Sequence, residues 1–426
     1  MTDIKHLEEL LNDFDPQVRY DALTEIAEGI ENGEIIVPEP KAENNLHYHT
    51  FFSYNAYAWS PCRIAWEAKK YGLFAAGIVD FDVIDGMDEF LAAGEMLGLP
   101  AVVSMETRVY VKDYAEHEIS SPKEPGVAYF MCGGCYKYPE EGSEAEETLN
   151  FLRESQKHRN VEMVEKINGY LGTVKLDYEA DVMPLTPSGN ATERHLLEAY
   201  DNKAKEVYPD EGKRAAFWAK ALGITDDEAK SLIADDPKLR DKIRSKLMKF
   251  GGVGYTKPTP DTFPSLERVV KMVYDMGGIP TTAYLDGASS GEADIHKLLS
   301  YLKSKGTMAL NIIPDRNYNF SDPEKRAARA AHLDKTVKAA RELDMPIIIG
   351  TEMNKLGLPF VDNFNAPELK PYIEDFNNGA YIFRAHTVLA EAADMGYTSK
   401  WAEEYFGGDT KRKNDFYLSV GKNLCK

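Results

Sequence analysis

The chain has 426 residues, 43% hydrophobic and 28% charged, which supplies a large core and leaves no compositional case for disorder. Seventy Asp and Glu against fifty Lys and Arg give a net charge of −20. An evenly acidic surface repels phosphate backbones and anionic bilayers, which excludes duplex nucleic acid and membranes as expected partners and leaves room for a small phosphate ester in a locally neutralised pocket.

The opening run MTDIKHLEELLNDF has neither a basic head nor an apolar block, so no signal peptide is expected. No apolar run approaches the ~20 residues of a membrane span, and four cysteines do not make a disulfide framework. These readings predict a globular cytoplasmic protein. At ~100–200 residues per domain, the length fits two or three units, or one α/β barrel with an insertion.

Residues 1–40 read as a helical extension. Leu7, Leu10, Leu11 and Phe14 form one apolar stripe and Leu23, Ile26 and Ile30 another, broken at Asp15-Pro16. From residue 44 the pattern becomes strand, turn, helix, repeated. NLHYHT is a short strand; Ser60-Pro61 opens a helix that Gly72 ends; LFAAGIV is a buried strand closing at Asp80. A helix from about Asp85 to Gly98 precedes the strand LPAVVSME. Buried strands alternating with helices predict a parallel barrel-like domain over 44–139 and 255–365. Residues 140–254 interrupt it with a helical insertion rich in Glu, Lys, Ala and Leu. The strands IPTTAYL, TMALNII and MPIIIGTE then alternate with helices, one opened by a capping box of Ser321 and Glu324. Residues 366–426 form a C-terminal extension packed on the barrel, with strand-like YIF leading to Arg384 and His386.

The chemistry-bearing residues fall at strand ends, which converge on one rim in βα architectures. His47 and His49 are two apart on a strand and share a face, so they can chelate one ion. Asp80, Asp82, Glu106 and Glu352 end other strands, and imidazoles with carboxylates on one rim make a site for Zn or Mn. Asp80 and Asp82 either orient a ligand histidine or cap the following helix. Arg194 and His195 follow Thr192 at a helix start. His117 lies in a polar loop and reads as solvated. Cys132 and Cys135 form a C-x-x-C whose following YKYPEEG is unhelical, so a pair of structural thiols is favoured over a redox motif.

NLHYHTFFSYNAYAWSP, GIVDFDVIDG, LPAVVSMETRV, GGIPTTAYL and IIIGTEMNKLG resemble, in order, the motifs of the PHP (polymerase and histidinol phosphatase) domain family of metal-dependent phosphoesterases. The resemblance covers roughly residues 44–355. It implies a distorted (β/α)7 TIM-like barrel and a phosphate contact by Arg194 or His195. The motifs depart from the family at Phe81, Tyr284, Glu352 and Asn354, where it carries His, His, Asp and His. What survives implies one divalent ion held by His47, His49, Glu106 and Glu352, with Asp80 accepting a proton from the attacking water. The function this implies is hydrolysis of a small phosphorylated substrate; the alternative is a non-catalytic binding or scaffold domain.

Overall fold

The computed structural model describes residues 3–259 and 261–425. Seven strands lie in one sheet in sequence order: β1 (Asn44–Tyr48), β2 (Ala75–Phe81), β3 (Ala101–Tyr110), β4 (Val127–Gly133), β5 (Ile279–Tyr284), β6 (Ala309–Ile312) and β7 (Ile347–Ile349). The sheet curls until its edges meet. Glu352, just past β7, donates its N–H to the His47 carbonyl at 2.8 Å and accepts the His49 N–H at 2.9 Å. The result is a nearly closed TIM-like barrel. Its strands are buried on both faces because helices cover the outside and side chains fill the inside.

One strand runs against expectation. β4 is antiparallel to both β3 and β5, so the barrel is mixed and not wholly parallel. A parallel neighbour requires the chain to cross back along the barrel, usually through a packed helix. Residues 111–126 hold only a 3₁₀ turn, Lys112–Tyr114, and the Val111 N–H bonds the Gly126 carbonyl at 2.7 Å. The chain therefore folds back beside β3 in a hairpin.

The helices take their starts from local sequence. α1 (Ile4–Leu10) and α2 (Pro16–Glu31) are capped by Asp3 and Asp15, and α2 packs on α3 (Pro61–Tyr71) and α4 (Met87–Leu97). Ser60 caps α3 and Gly72 ends it with φ +88°, as the Ser-Pro and Gly signals predict. α5 (Glu144–Leu171) spans about 42 Å. Its first half buries Ala145, Leu149 and Leu152 in the barrel core; its second half buries Val164, Ile167 and Leu171 in another core. α6 (Glu193–Val207), α7 (Glu211–Leu222), α8 (Asp226–Ile233) and α9 (Asp236–Ile243) follow, and α6, α7 and α9 centre that second core on Leu196, Tyr200, Trp218 and Ile243. α10 (Leu266–Asp275), α11 (Ile295–Ser304), α12 (Asp315–Tyr318) and α13 (Pro323–Glu342) restore the alternation. α13 is capped by Asp322, whose carboxylate accepts the Glu324 and Lys325 N–H groups. That displaces the expected Ser321/Glu324 box by one residue, because Pro323 then takes the first helical position.

The tail differs from the strand-like reading. GAYIFRAHTVL lies inside α14 (Ile373–Ala393), and α15 (Lys400–Phe406) and α16 (Thr410–Leu424) follow. The apolar YIF triplet is helical because Phe376, Ala380 and Phe383 make one face at helical spacing. That face closes the barrel at the N-terminal ends of its strands, packing with Leu46, Val102, Ile279 and Ile348. Among the described residues no helix is long and apolar enough to cross a membrane.

Gly379 on α14 is where helix and barrel come closest. A Cβ there would stand 1.8 Å from the Ile347 carbonyl oxygen, and a backbone atom cannot move aside. Gly379→Ala is expected to lower stability by about 3 kcal/mol through overpacking. Gly169→Ala on α5, where a Cβ meets nothing within 4 Å, is expected to raise it by about 0.5–1 kcal/mol through helix propensity. Urea unfolding of the two variants checks the opposite signs.

Candidate metal centre and the cavity above it

His47 and His49 sit at the end of β1 with their ring centroids 5.2 Å apart, as the period-two strand requires. Each ring is tied down by one nitrogen. His47 Nδ1 lies 3.0 Å from Asn311 Oδ1 on β6, and His49 Nδ1 lies 3.2 Å from Ser53 Oγ. Both partners take the imidazole proton. Asn311 points its Nδ2 at the Ile348 carbonyl, leaving Oδ1 as acceptor, and Ser53 donates its own proton to Asp80 at 2.6 Å. Each Nδ1 therefore carries the hydrogen and each Nε2 a lone pair. Both Nε2 atoms are buried without a hydrogen-bond partner. Burial pushes both rings below the usual histidine range, His49 to about 3, so they are neutral at pH 7.

Glu106 at the β3 rim completes a group with the two histidines. One donor atom from each of the three lies within 4.8 Å of the others, and Glu106 Oε2 is 3.7 Å from His49 Nε2. Burial, reinforced by the Glu352 charge, pushes the Glu106 carboxyl up to about 8. Two neutral imidazole lone pairs and a carboxyl that would give up its proton to a bound ion, with both Nδ1 protons fixed by hydrogen bonds, fit a divalent cation. Orphaned buried nitrogens of this kind otherwise carry a desolvation penalty.

Glu352 lies beside this group without joining its three mutually close donors. Its carboxylate accepts from Arg316 Nη2 at 2.8 and 3.1 Å and from Asn354 Nδ2 at 3.4 Å. Burial opposes ionisation, but Arg316 and the two imidazoles outweigh it and hold the carboxyl at about 2. Glu352 and Met353 both have left-handed backbones, φ +62° and +52°, strained for non-glycine residues. The strain is sustained by bonds on every side: the paired contacts to β1 and the Met353 carbonyl taken by the Ala56 N–H.

The remaining sequence candidates are dispersed. Asp80 lies beneath the histidines, where its carboxylate accepts the Thr50 N–H, the Thr50 hydroxyl and the Ser53 hydroxyl. Burial raises it to about 6 against those three bonds. Saturated in this way, it orients Ser53 and through it His49. Asp82 turns aside with φ +59° to accept the Thr107 hydroxyl. His195 is spent locally: its Nδ1 accepts the Thr192 N–H in a capping box, and its ring meets Tyr54 edge-on at 5.1 Å. Arg194, one residue earlier, lines the cavity above the three donors while bonded to Asp241 at 3.2 Å. Arg384 and His386 are at the opposite end of the barrel, on the Ala101 and Gly134 carbonyls, so they do not reach the rim. His117 is exposed in its loop. Cys132 and Cys135 are buried free thiols, Cys135 donating to the Cys132 carbonyl.

The cavity above the donors measures about 540 Å³, the size of a small-molecule site. In a chain of net charge −20 its walls are basic: Arg108, Arg159, Arg194, Arg244, Arg316 and Lys249 face it. Glu193 is the buttress, pairing with both Arg244 and Lys249. These residues come from β3, α5, α6, α12 and the segment after α9, and only Arg244 and Lys249, in the basic run 238–249, are close in sequence. Arg316 carried no sequence signal, and the Ile-Pro-Asp-Arg run after a strand end offers only its position.

No known protein-family model and no curated protein matches this sequence. Solved structures do. One, from Bifidobacterium adolescentis and provisionally described as a metal-dependent phosphoesterase, aligns with 79% of this chain and 98% of its own at 18% identity and a TM-score of 0.50. Another, an amidohydrolase from Chromobacterium violaceum with bound sulfate and no metal, aligns with 78% and 96% at 15% identity and a TM-score of 0.49. At 18% identity the first likeness speaks for the shared barrel.

The Nδ1 anchors generate a direct expectation. Asn311→Leu and Ser53→Ala each free one ring to turn, and each should weaken Zn or Mn binding by about 10–100-fold. Asn311→Asp should retain it, since Asp still accepts the Nδ1 proton. Equilibrium dialysis against a competing chelator, with circular dichroism to verify folding, reads the result.

Proposed function

We propose that this protein is a metal-dependent hydrolase of a small phosphate ester, with one divalent ion held by His47, His49 and Glu106. The observation that carries this reading is the pair of buried Nε2 lone pairs beside Glu106, with His49 and Glu106 lining a basic cavity. A bound ion there would supply a polarised phosphoryl oxygen and a more acidic water. The protein's own residues do the rest. Arg194 and Arg316, both facing the cavity, hold the phosphoryl oxygens and balance the charge that develops on them. Asp80 acts as a positioning group, keeping Ser53 against His49 Nδ1. A recessed cavity rich in cationic side chains, in a molecule that is acidic as a whole, supports a small anionic ligand over a duplex.

The departures at Phe81, Tyr284 and Asn354, where the resembling family carries His, favour a second reading, a binding domain without turnover. Glu352 is committed to Arg316, which leaves three protein donors in the group. A three-donor site with an open position is the pattern of catalytic zinc, and it is for this reason that we place hydrolysis first.

Metal analysis and hydrolysis together separate the two. Protein grown with Zn and Mn should retain about one ion per chain and hydrolyse phosphomonoesters. His47→Ala should lose both properties, and Cys132→Ala should keep both. A retained ion without hydrolysis of any ester in a broad panel moves the protein to the binding reading. A wild type that binds no ion ends the metal-dependent reading altogether.

A further inference from the structure

β3 runs on past the metal-facing position. Glu106 is followed two residues later by Arg108, still within the strand. Alternation puts the two side chains on one face, about 7 Å apart along the strand. Arg108 donates to Glu124 at 3.2 Å, and its Nε is buried with no partner. Arg159 approaches from α5. Both guanidiniums lie against Phe263, 4.4 and 4.9 Å from the ring centroid.

Arg159 differs from the other cavity arginines. Arg316, Arg244, Arg194 and Arg108 each have an acidic partner. Arg159 has a single hydrogen bond, to the Thr262 carbonyl at 3.3 Å, and no ion pair among the described residues. Asp82 and Glu124 act on it only through space, while burial and the like charge of Arg108 work against its ionised form. Two guanidiniums against one ring at the cavity wall, one of them without a counter-ion, cost electrostatic free energy that an anion in the cavity beside them would recover.

We infer that Arg108 and Arg159 form a second anion subsite, so that the substrate is two-headed: an ester phosphate at the metal end and a further phosphate or carboxylate about 7 Å or more away. This rests on the phosphoesterase reading above and adds the substrate class. The volume of about 540 Å³ accommodates a sugar-sized or nucleotide-sized scaffold between the two charges. The planar forks of the arginines suit bidentate capture of either anion. Phe81, with Arg108 5.9 Å from its centroid, and Phe263 offer apolar contact to the scaffold.

The test uses ligands that cannot be hydrolysed. α,ω-Alkane bisphosphonates of increasing length, the matching ω-phosphonoalkanoates and simple alkyl phosphonates are titrated calorimetrically into wild-type protein and into Arg159→Gln. In the wild type a bisphosphonate or phosphonoalkanoate of matching length should bind at least about tenfold more tightly than the alkyl phosphonate. Arg159→Gln should abolish that advantage and change alkyl phosphonate affinity by less than about twofold. Which two-headed series wins identifies the second anion. Equal affinity of one-headed and two-headed ligands in the wild type, or a loss in Arg159→Gln that falls equally on both, overturns the subsite and leaves the phosphoesterase reading standing. If no phosphonate binds at all, the phosphate-ester reading fails and the subsite fails with it.

Discussion

Two buried imidazoles, each with its Nδ1 proton committed to a protein acceptor, constrain everything around them. A ring fixed in this way presents a lone pair in one direction only, and the fold has to deliver two such rings to one point. β6 must bring Asn311 to His47, and the loop after β1 must bring Ser53, itself held by Asp80, to His49. The closing seam adds its own demand. A Cβ at Gly350 would fall 2.4 Å from the His47 Cβ and from Asn45 Oδ1, so only glycine lets β7 come this close to β1. The strained pair Glu352 and Met353 holds that seam shut from the rim side.

Charge is arranged against the average of the molecule. Burying several guanidiniums in an acidic protein costs desolvation unless each finds a partner, and nearly every cavity arginine has one. Glu193 holds two cations and is itself kept at about 2, Arg244 and Lys249 outweighing its burial. Glu352 does the same for Arg316. These pairings place positive ends on the cavity wall without leaving uncompensated charge, and so the lone Arg159 stands out.

Stability and chemistry occupy opposite ends of the barrel. α14 seals the N-terminal ends of the strands through Phe383, Ala380 and the glycine contact at Ile347. The C-terminal ends carry the donors and lie under residues of α5, α6 and the segment following α9. Loops and insertions can vary at one rim while the other is packed shut, the division of labour that barrel folds allow.

What the sequence determined by itself is local. The His-x-His face, the Ser-Pro start and Gly stop of α3, the buried strands and the helical run over the middle of the chain follow from periodicity and capping, which act over a few residues. The H-x-H pair and the Glu106 carboxyl on β3 were legible for the same reason, although β3 runs on to Tyr110. Contacts between distant segments were not. The reversal of β4 depended on a loop closing on itself, and the helical state of YIF on a barrel end that needed covering. The fate of Glu352 depended on Arg316, thirty-six residues away, and His195 went to its own helix cap instead of the cavity. The basic cavity could not be read, because its cations come from five separate parts of an acidic chain. Only the closing of the barrel and the placing of α5 and α6 over its rim brought them together.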